Sequence, residues 1–353
     1  MRHPVLIIDK EKLKYNTKSI LKMCKEVNIE VTAVTKACCG NPEIAEIFVD
    51  CGVRILADSK IENLERLSKF QVTKMLLRIP MLSEVEDVVR CADISLNSEL
   101  KTMKALSDVA QKTGKKHNII LMIEMGDLRE GILAEDALEY AERILRFEGI
   151  NLLGVGTNLN CYGGIIPDEY NLSRLASVAD SIEEAYGIQL QIVSGGNSGS
   201  LYLLRDKKMP SRVNHLRIGE AILRGIETSF HKKIGNLHSD VFSLRTEIVE
   251  LKDKPSVPFG SAGFNAFGEK KNFMDKGILK RAIVACGRQD VLCEQIIPQD
   301  TGIEIIGASS DHLILNITCA NRQYEVGDTI DFSLSYGALV AAFTSEYVHK
   351  VFF

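Results

Sequence analysis

The stretch VTAVTKACCGNPEIA, residues 31–45, runs from a β-branched apolar segment onto a lysine, Lys36, and then to two cysteines, a glycine and an Asn-Pro pair. A short apolar, β-branched run reads as a buried parallel strand. Asn41 and Pro42 supply an N-cap and a first-turn proline for a helix through EIAEIFVDC to Gly52. The stretch therefore reads as one strand, one turn and one helix, with a lysine at the strand tip.

The same rhythm continues along the chain. VTAVT (31–35), VRILA (53–57), MLLRI (75–79), DISLN (93–97), NIILMIE (118–124), LLGVGT (152–157), LQIVS (190–194) and VNHLRI (213–218) are eight strand candidates. Helical patterns separate them. Ser59 and Glu62 read as a capping box. EDALEYAERILRF and LSRLASVADSIEEAYG carry apolar residues at three- and four-residue spacing. Eight β-α units predict an α/β fold, a (β/α)8 TIM-type barrel, over residues 12–230. Beyond that point DVFSLRTEIVELKD, RAIVACG, GIEIIGASS, DHLILNIT and DTIDFSLS read as strands with little helix between them. They predict a mostly antiparallel β domain over 231–353, joined by an N-terminal strand, VLIID, from segment 1–11. PSVPFGSAGFNAFGEKKN (255–272) reads as a long loop.

Composition narrows the function classes. Apolar residues make up 45% of the 353 and charged residues 25%, as in ordinary globular proteins. Net charge is −4 and no basic stripe stands out, so nucleic acid is not an expected partner. Nine cysteines without framework spacing or a CxxC pair point to a reduced, cytoplasmic protein without structural zinc. The seven histidines show no metal-ligand spacing, and no run approaches a membrane span. The partner expected is a small molecule.

In such a barrel the active site lies at the C-terminal ends of the strands. The first run ends at Lys36, the second near Asp58, the fourth at Asn97 and the fifth at Glu124, with Arg129 shortly after. The sixth ends at Asn158, and the eighth carries Arg217. Polar residues close apolar strands in any barrel, because the chain leaves the core there. A lysine, an arginine and two asparagines converging on one face are a stronger pattern. SGGNSGS (194–200) and IGEAILRG (218–225) follow runs seven and eight. Glycine-rich turns free backbone N–H groups to face an anion, and loops after strands 7 and 8 often bind phosphate. A phosphate cradle and a strand-tip lysine point to pyridoxal 5'-phosphate, which binds lysine as a Schiff base.

AVTKA with Lys36, GTNLN with Asn158, GGNSGSL with Ser198 and HLRIGEAILRG with Arg217 resemble the alanine racemase-like, fold-type III pyridoxal-phosphate enzymes. ACGRQDV, ASSDHLIL and SYGALVAAFTSEYVHKVF are similar to that family's C-terminal stretches, and EMGDLREGI places the likeness in the alanine/ornithine racemase branch. The resemblance implies an isomerase, an amino-acid racemase acting on ornithine. It implies that Lys36 binds the cofactor and acts as acid/base on one face, and that Arg217 faces the pyridine nitrogen. Asn197, Ser198, Gly219, Ile222 and Tyr347 would hold the phosphate side, and Asn158 would stand beside the ring. Arg129 would lie near the cofactor's phenolic oxygen and the substrate carboxylate.

Departures from the family pattern leave alternatives open. Its opposite-face tyrosine, supplied by a partner subunit, falls at Arg288, a poor base. Cys286, Asp311, His312 and Tyr336 are candidates for that proton; Arg288 and His312 are also candidate substrate contacts. Asp290 is placed either to receive a cationic side-chain amine or to pair with Arg288. Cys38 and Cys39 read as packing residues, and Cys293-Glu294 sits in a context closer to GRQDV than to a decarboxylase pair. A partner-supplied group implies a head-to-tail homodimer. The competing readings are a racemase for alanine or another amino acid, a fold-type III decarboxylase, and a non-catalytic cofactor carrier.

Overall fold

Parallel strands bury both faces, so their sequences are apolar at successive positions, and helices must cover the outside. The computed structural model describes residues 2–270 and 272–353, and realises this over Glu11–Ser239. After strand β1 (Val5–Ile8) and helix α1 (Lys10–Lys25), the chain enters a closed eight-stranded barrel. Its strands are β2 (Glu30–Val34), β3 (Ile55–Asp58), β4 (Thr73–Leu76), β5 (Ile94–Asn97), β6 (His117–Met122), β7 (Ile150–Gly156), β8 (Ile192–Ser194) and β9 (His215–Ile218). Each pairs in parallel with the next, and β9 closes on β2 with Thr32 opposite Arg217. All eight overlap the runs read from the sequence, and the fold is the expected barrel followed by an antiparallel β domain.

The connecting helices are α2 (Pro42–Asp50), α3 (Ile61–Arg66), α4 (Val85–Cys91), α5 (Leu100–Lys112), α6 (Ala137–Leu145), α7 (Glu169–Tyr186), α8 (Leu201–Arg205) and α9 (Glu220–Arg224). Asn41 caps α2 through its side-chain oxygen, which accepts the N–H groups of Glu43 and Ile44. The Ser59–Glu62 capping box does not form: α3 starts at Ile61, and the Asp58 carboxylate accepts the Lys60 N–H at 3.1 Å instead. The N-cap position falls on Lys60, so Ser59 stands one residue outside the place from which a serine hydroxyl caps.

Alternation along the strands makes two apolar clusters. One joins strand residues such as Leu76, Ile119 and Val155 to helix residues such as Val88, Leu106 and Leu175. The other is made of strand residues alone, Val34, Ala57, Met75, Leu96, Ile120, Met122 and Ile192 among them, and fills the barrel. Gly154 is forced: a Cβ there would lie 2.0 Å from the carbonyl oxygen of Ile192 on the neighbouring strand. A short hairpin, β10 (Ile226–Glu227) with β11 (Lys232–Lys233), follows α9.

The second unit comprises Met1–Lys10 and Asp240–Phe353. Its strands are β12 (Phe242–Pro255), β13 (Ile278–Val284), β14 (Ile296–Pro298), β15 (Glu304–Ala308), β16 (Leu313–Asn316), β17 (Thr329–Leu334) and β18 (His349–Phe352). They form one sheet with β1, in the order β14-β17-β12-β13-β16-β15. β1 lies between β12, to which it is antiparallel, and β18, to which it is parallel, with Val5 opposite His349. Residues 256–270 and 272–277 contain no helix or strand. The expectation of little helix missed α10 (Tyr336–Thr344), whose cap is Ser335. YGALVAAFT is apolar nearly all round, so it carries no 3.6-residue alternation to read.

Candidate active site

β2 delivers Lys36 into a single 3-10 turn, Lys36–Cys38, at the strand tip. Beneath it the Thr35 hydroxyl donates to Asp58 Oδ2 at 2.7 Å, and Asn63 donates to Asp58 Oδ1 at 2.9 Å. These bonds fix the turn while leaving the Lys36 side chain exposed. Its amine makes no hydrogen bond or ion pair among the described residues. Cys38 beside it is buried, and burial pushes its thiol up, as suits a packing residue.

The neighbouring strand, β9, carries Arg217 inward. The guanidinium is buried and donates to Ser194 Oγ and, at 2.7 Å, to the carbonyl of Thr157. Both acceptors are neutral. Burial lowers Arg217 to about 10, which leaves it charged at neutral pH. A buried cation whose hydrogen-bond acceptors are both neutral is costly even with Glu130 near enough to favour its charge, and it favours an electron-rich group brought into the site. The Thr157 hydroxyl is also buried, without a hydrogen-bond partner among the described residues.

The loops after β8 and β9 are tied together. Ser198 Oγ accepts the Ala221 N–H at 3.1 Å. Asn197 Oδ1 accepts the Gly199 N–H at 2.8 Å while its amide nitrogen donates to the Leu159 carbonyl at 2.8 Å. Gly196 has φ +103°, a left-handed value that favours glycine. Gly219 opens α9, and Ile222 is buried behind it, its carbonyl held by the Asn16 amide at 3.0 Å. The lysine, the buried arginine, the orphan threonine hydroxyl and the glycine-flanked turns fit pyridoxal phosphate, an aldehyde bearing a ring nitrogen and a phosphate.

Arg129 lies on the loop after β6 and pairs with Glu130, whose carboxylate holds it above the usual arginine range. The Asn158 amide, with its oxygen toward Arg129, accepts from that guanidinium at 3.1 Å. Asp127 organises both loops: its buried carboxylate accepts the N–H groups of Cys161, Tyr162 and Ile165 at 3.3, 2.9 and 3.3 Å. Asp127→Ala is expected to cost on the order of 3 kcal/mol. Amides 161, 162 and 165 should lose hydrogen-exchange protection while the barrel strands keep theirs; unchanged protection would count against this anchoring.

Two buried histidines, His117 and His215, face the Ser95 and Ser194 hydroxyls, and burial pushes them down to about 4 and about 3. The unfolded chain takes up protons on them near pH 6.5. In the window below, the unfolded state binds more protons, so stability falls as pH drops. The expected loss between pH 6 and pH 4 is on the order of 1.4 kcal/mol per pH unit for each histidine. Urea midpoints across that window measure it, and His117→Asn should lessen the loss.

In the β unit, Cys286 is buried and its thiol is pushed up by burial, so it lacks the access and the thiolate character of a catalytic base. Asp290 does not pair with Arg288. It is buried, accepts the Gly287 N–H at 2.8 Å, and is raised chiefly by burial. Arg288 instead donates to Glu269 at 3.2 Å, pairs with Glu294 at 3.0 Å and stacks on the Phe267 ring at 4.2 Å. Cys293 is buried, and its thiol is pushed up to about 11, chiefly by burial. Asp311 and His312 are exposed and pair at 3.2 Å, with the Ser309 hydroxyl holding Asp311 below its usual value. Tyr336 is the first residue of α10, and Tyr347 is exposed.

Sequence reading passed over Asp127, Glu130, Thr157, Ser194 and His215. Stepping back two residues from Arg217 along β9 would have found His215, since side chains in a strand alternate faces.

A closed parallel barrel with an exposed lysine at one strand tip and a buried arginine on the neighbouring strand, followed by a mostly antiparallel domain, has the parts of a pyridoxal-phosphate-binding barrel. Residues 8–225 match the model of the alanine racemase N-terminal domain, and this chain belongs to that family. It is 47% identical to an ornithine racemase of Acetoanaerobium sticklandii over 99% of both chains. It is 38% identical to a lysine racemase of Thermotoga maritima, over 100% of this chain and 99% of that one. An alanine racemase of Bartonella henselae with covalently bound pyridoxal phosphate has the same fold, with a TM-score of 0.77 over 100% of both chains at 17% identity.

Proposed function

We propose that this chain is a pyridoxal-phosphate-dependent amino-acid racemase that interconverts L- and D-ornithine. The observation that carries the reading is Arg217, a buried cation whose hydrogen-bond acceptors are neutral, inside the same barrel whose Lys36 amine makes no hydrogen bond or ion pair among the described residues. The two full-length relatives named above are racemases of basic amino acids, which supports a substrate with a cationic side chain.

Lys36 would hold the cofactor covalently, Arg217 would face its ring nitrogen, and Asn197, Ser198, Gly219 and Ile222 would hold its phosphate. When bound, the cofactor draws electron density from the substrate's α-carbon and so acidifies the hydrogen there. Arg217 keeps its own proton, because a guanidinium does not readily give one up. It therefore limits how far negative charge is drawn into the ring, which suits prompt return of the proton to the α-carbon. Lys36 Nζ takes and returns the proton on one face. Arg129, oriented by Glu130 and Asn158, binds the substrate carboxylate.

The proton on the other face needs a second group; Tyr336, Asp311 and His312 are the accessible candidates. We place that group in a partner subunit, which makes the working unit a homodimer in the cytoplasm. Among the described residues no helix is long and apolar enough to cross a membrane. Light scattering measures the dimer, and activity regained on mixing a Lys36→Ala chain with a Tyr336→Phe chain tests sharing of the site.

Incubation with L-ornithine in heavy water tests the reaction. Loss of optical rotation with α-deuterium uptake is expected. Release of carbon dioxide would instead identify a decarboxylase, and neither change would identify a carrier.

A further inference from the structure

An unbroken line of polar side chains crosses the barrel interior. Arg217 donates to Ser194 Oγ, which lies 2.7 Å from His215 Nδ1; His215 Nε2 lies 2.7 Å from Thr32 Oγ1. All four side chains are buried, on the three adjoining strands β8, β9 and β2.

The protons in this line have one consistent direction. A guanidinium only donates, so Ser194 accepts from Arg217 and must place its own single proton elsewhere. Among the described residues, the other partner of that hydroxyl is His215 Nδ1. With the proton directed there, Nε2 carries the imidazole hydrogen and donates to Thr32. The opposite tautomer would point two donors at Ser194 and strand its hydroxyl proton in the core, a cost comparable to a lost buried hydrogen bond.

We infer that His215 is a positioning residue for Arg217: in its Nε2–H tautomer its Nδ1 accepts the hydrogen bond of the Ser194 hydroxyl and so makes Ser194 the acceptor that fixes the guanidinium. A hydroxyl that donates is a better acceptor, so the line reinforces itself. With the Thr157 carbonyl holding the other terminal nitrogen, the guanidinium cannot turn without breaking a bond. The inference rests on reading Arg217 as the ring-nitrogen partner.

The test uses the full-length protein, with and without pyridoxal phosphate. Imidazole ¹⁵N spectra should show His215 with Nδ1 bare and Nε2 protonated in both states. His215→Phe keeps bulk but accepts no proton from Ser194. It should lower kcat by up to ~10²-fold, the size of a small misplacement, with KM nearly unchanged. It should also shift the absorbance band of the bound cofactor. His215→Asn, with an acceptor oxygen near the Nδ1 position, should restore both the band and most of kcat. A protonated Nδ1, an unaltered band and kcat in His215→Phe, or His215→Asn no better than His215→Phe would each overturn the inference. If the phenylalanine variant fails to fold, the tautomer still decides. If the wild-type protein takes up no cofactor, the racemase reading fails while the tautomer test stands.

Discussion

Lys36→Ala protein supplied with pyridoxal phosphate is expected to show no imine absorbance, and its racemisation of L-ornithine should fall by at least ~10³-fold, within the range for loss of a positioned acid/base. Two functions are lost at once, the covalent anchor and the proton carrier on one face. The backbone should not notice, because the turn is held by Thr35, Asp58 and Asn63 and the Lys36 side chain projects away from the core. Stability should therefore match the wild type. Borohydride reduction followed by peptide mapping gives the sharper measurement: the label should fall on Lys36 in the wild type. A label on another lysine, or a surviving imine band in the variant, would remove the basis for the proposed reaction.

Arg217→Leu should be the second most damaging change. It leaves the Ser194 hydroxyl and the Thr157 carbonyl without their donor in the barrel interior. Loss of one preorganised donor in a dry site lowers kcat by about 10²–10³-fold. Two unmet buried acceptors should also cost on the order of 2 kcal/mol or more of stability. Arg217→Glu distinguishes the electronic role from the structural one. A carboxylate at that position favours a protonated ring nitrogen, so negative charge at the α-carbon persists longer before reprotonation. Racemisation should drop, with a new long-wavelength absorbance during turnover. If Arg217→Glu raced as fast as the wild type, the guanidinium would have no bearing on the chemistry.

Much of the barrel was legible because burial on both faces leaves long apolar runs, and because turn chemistry such as Asn41-Pro42 marks a helix start locally. Lys36 was legible because it ends such a run. Spacing alone can mislead: Ser59 and Glu62 have the spacing of a capping box, and only the fold shows that α3 starts at Ile61 and that Asp58 accepts the Lys60 N–H. The line from Arg217 to Thr32 was missed because its members are single polar residues on three strands, and only barrel closure brings β9 against β2, far away in the chain. Asp290 and Arg288 are neighbours in sequence yet turn to different partners, which the spacing alone leaves undecided. The α10 helix was hidden by being apolar on every side.

The placement of β1 between β12 and β18 has a temporal consequence. Its two neighbours, β12 and β18, are separated from it by the whole barrel, and β18 comprises residues His349–Phe352. During synthesis on the ribosome, every barrel strand is made by Ile218, long before β18 exists. Val5–Ile8 can pair with β12 once that strand is made, and gains its second neighbour only when residues 349–352 follow. This sheet therefore cannot be complete before those residues are made.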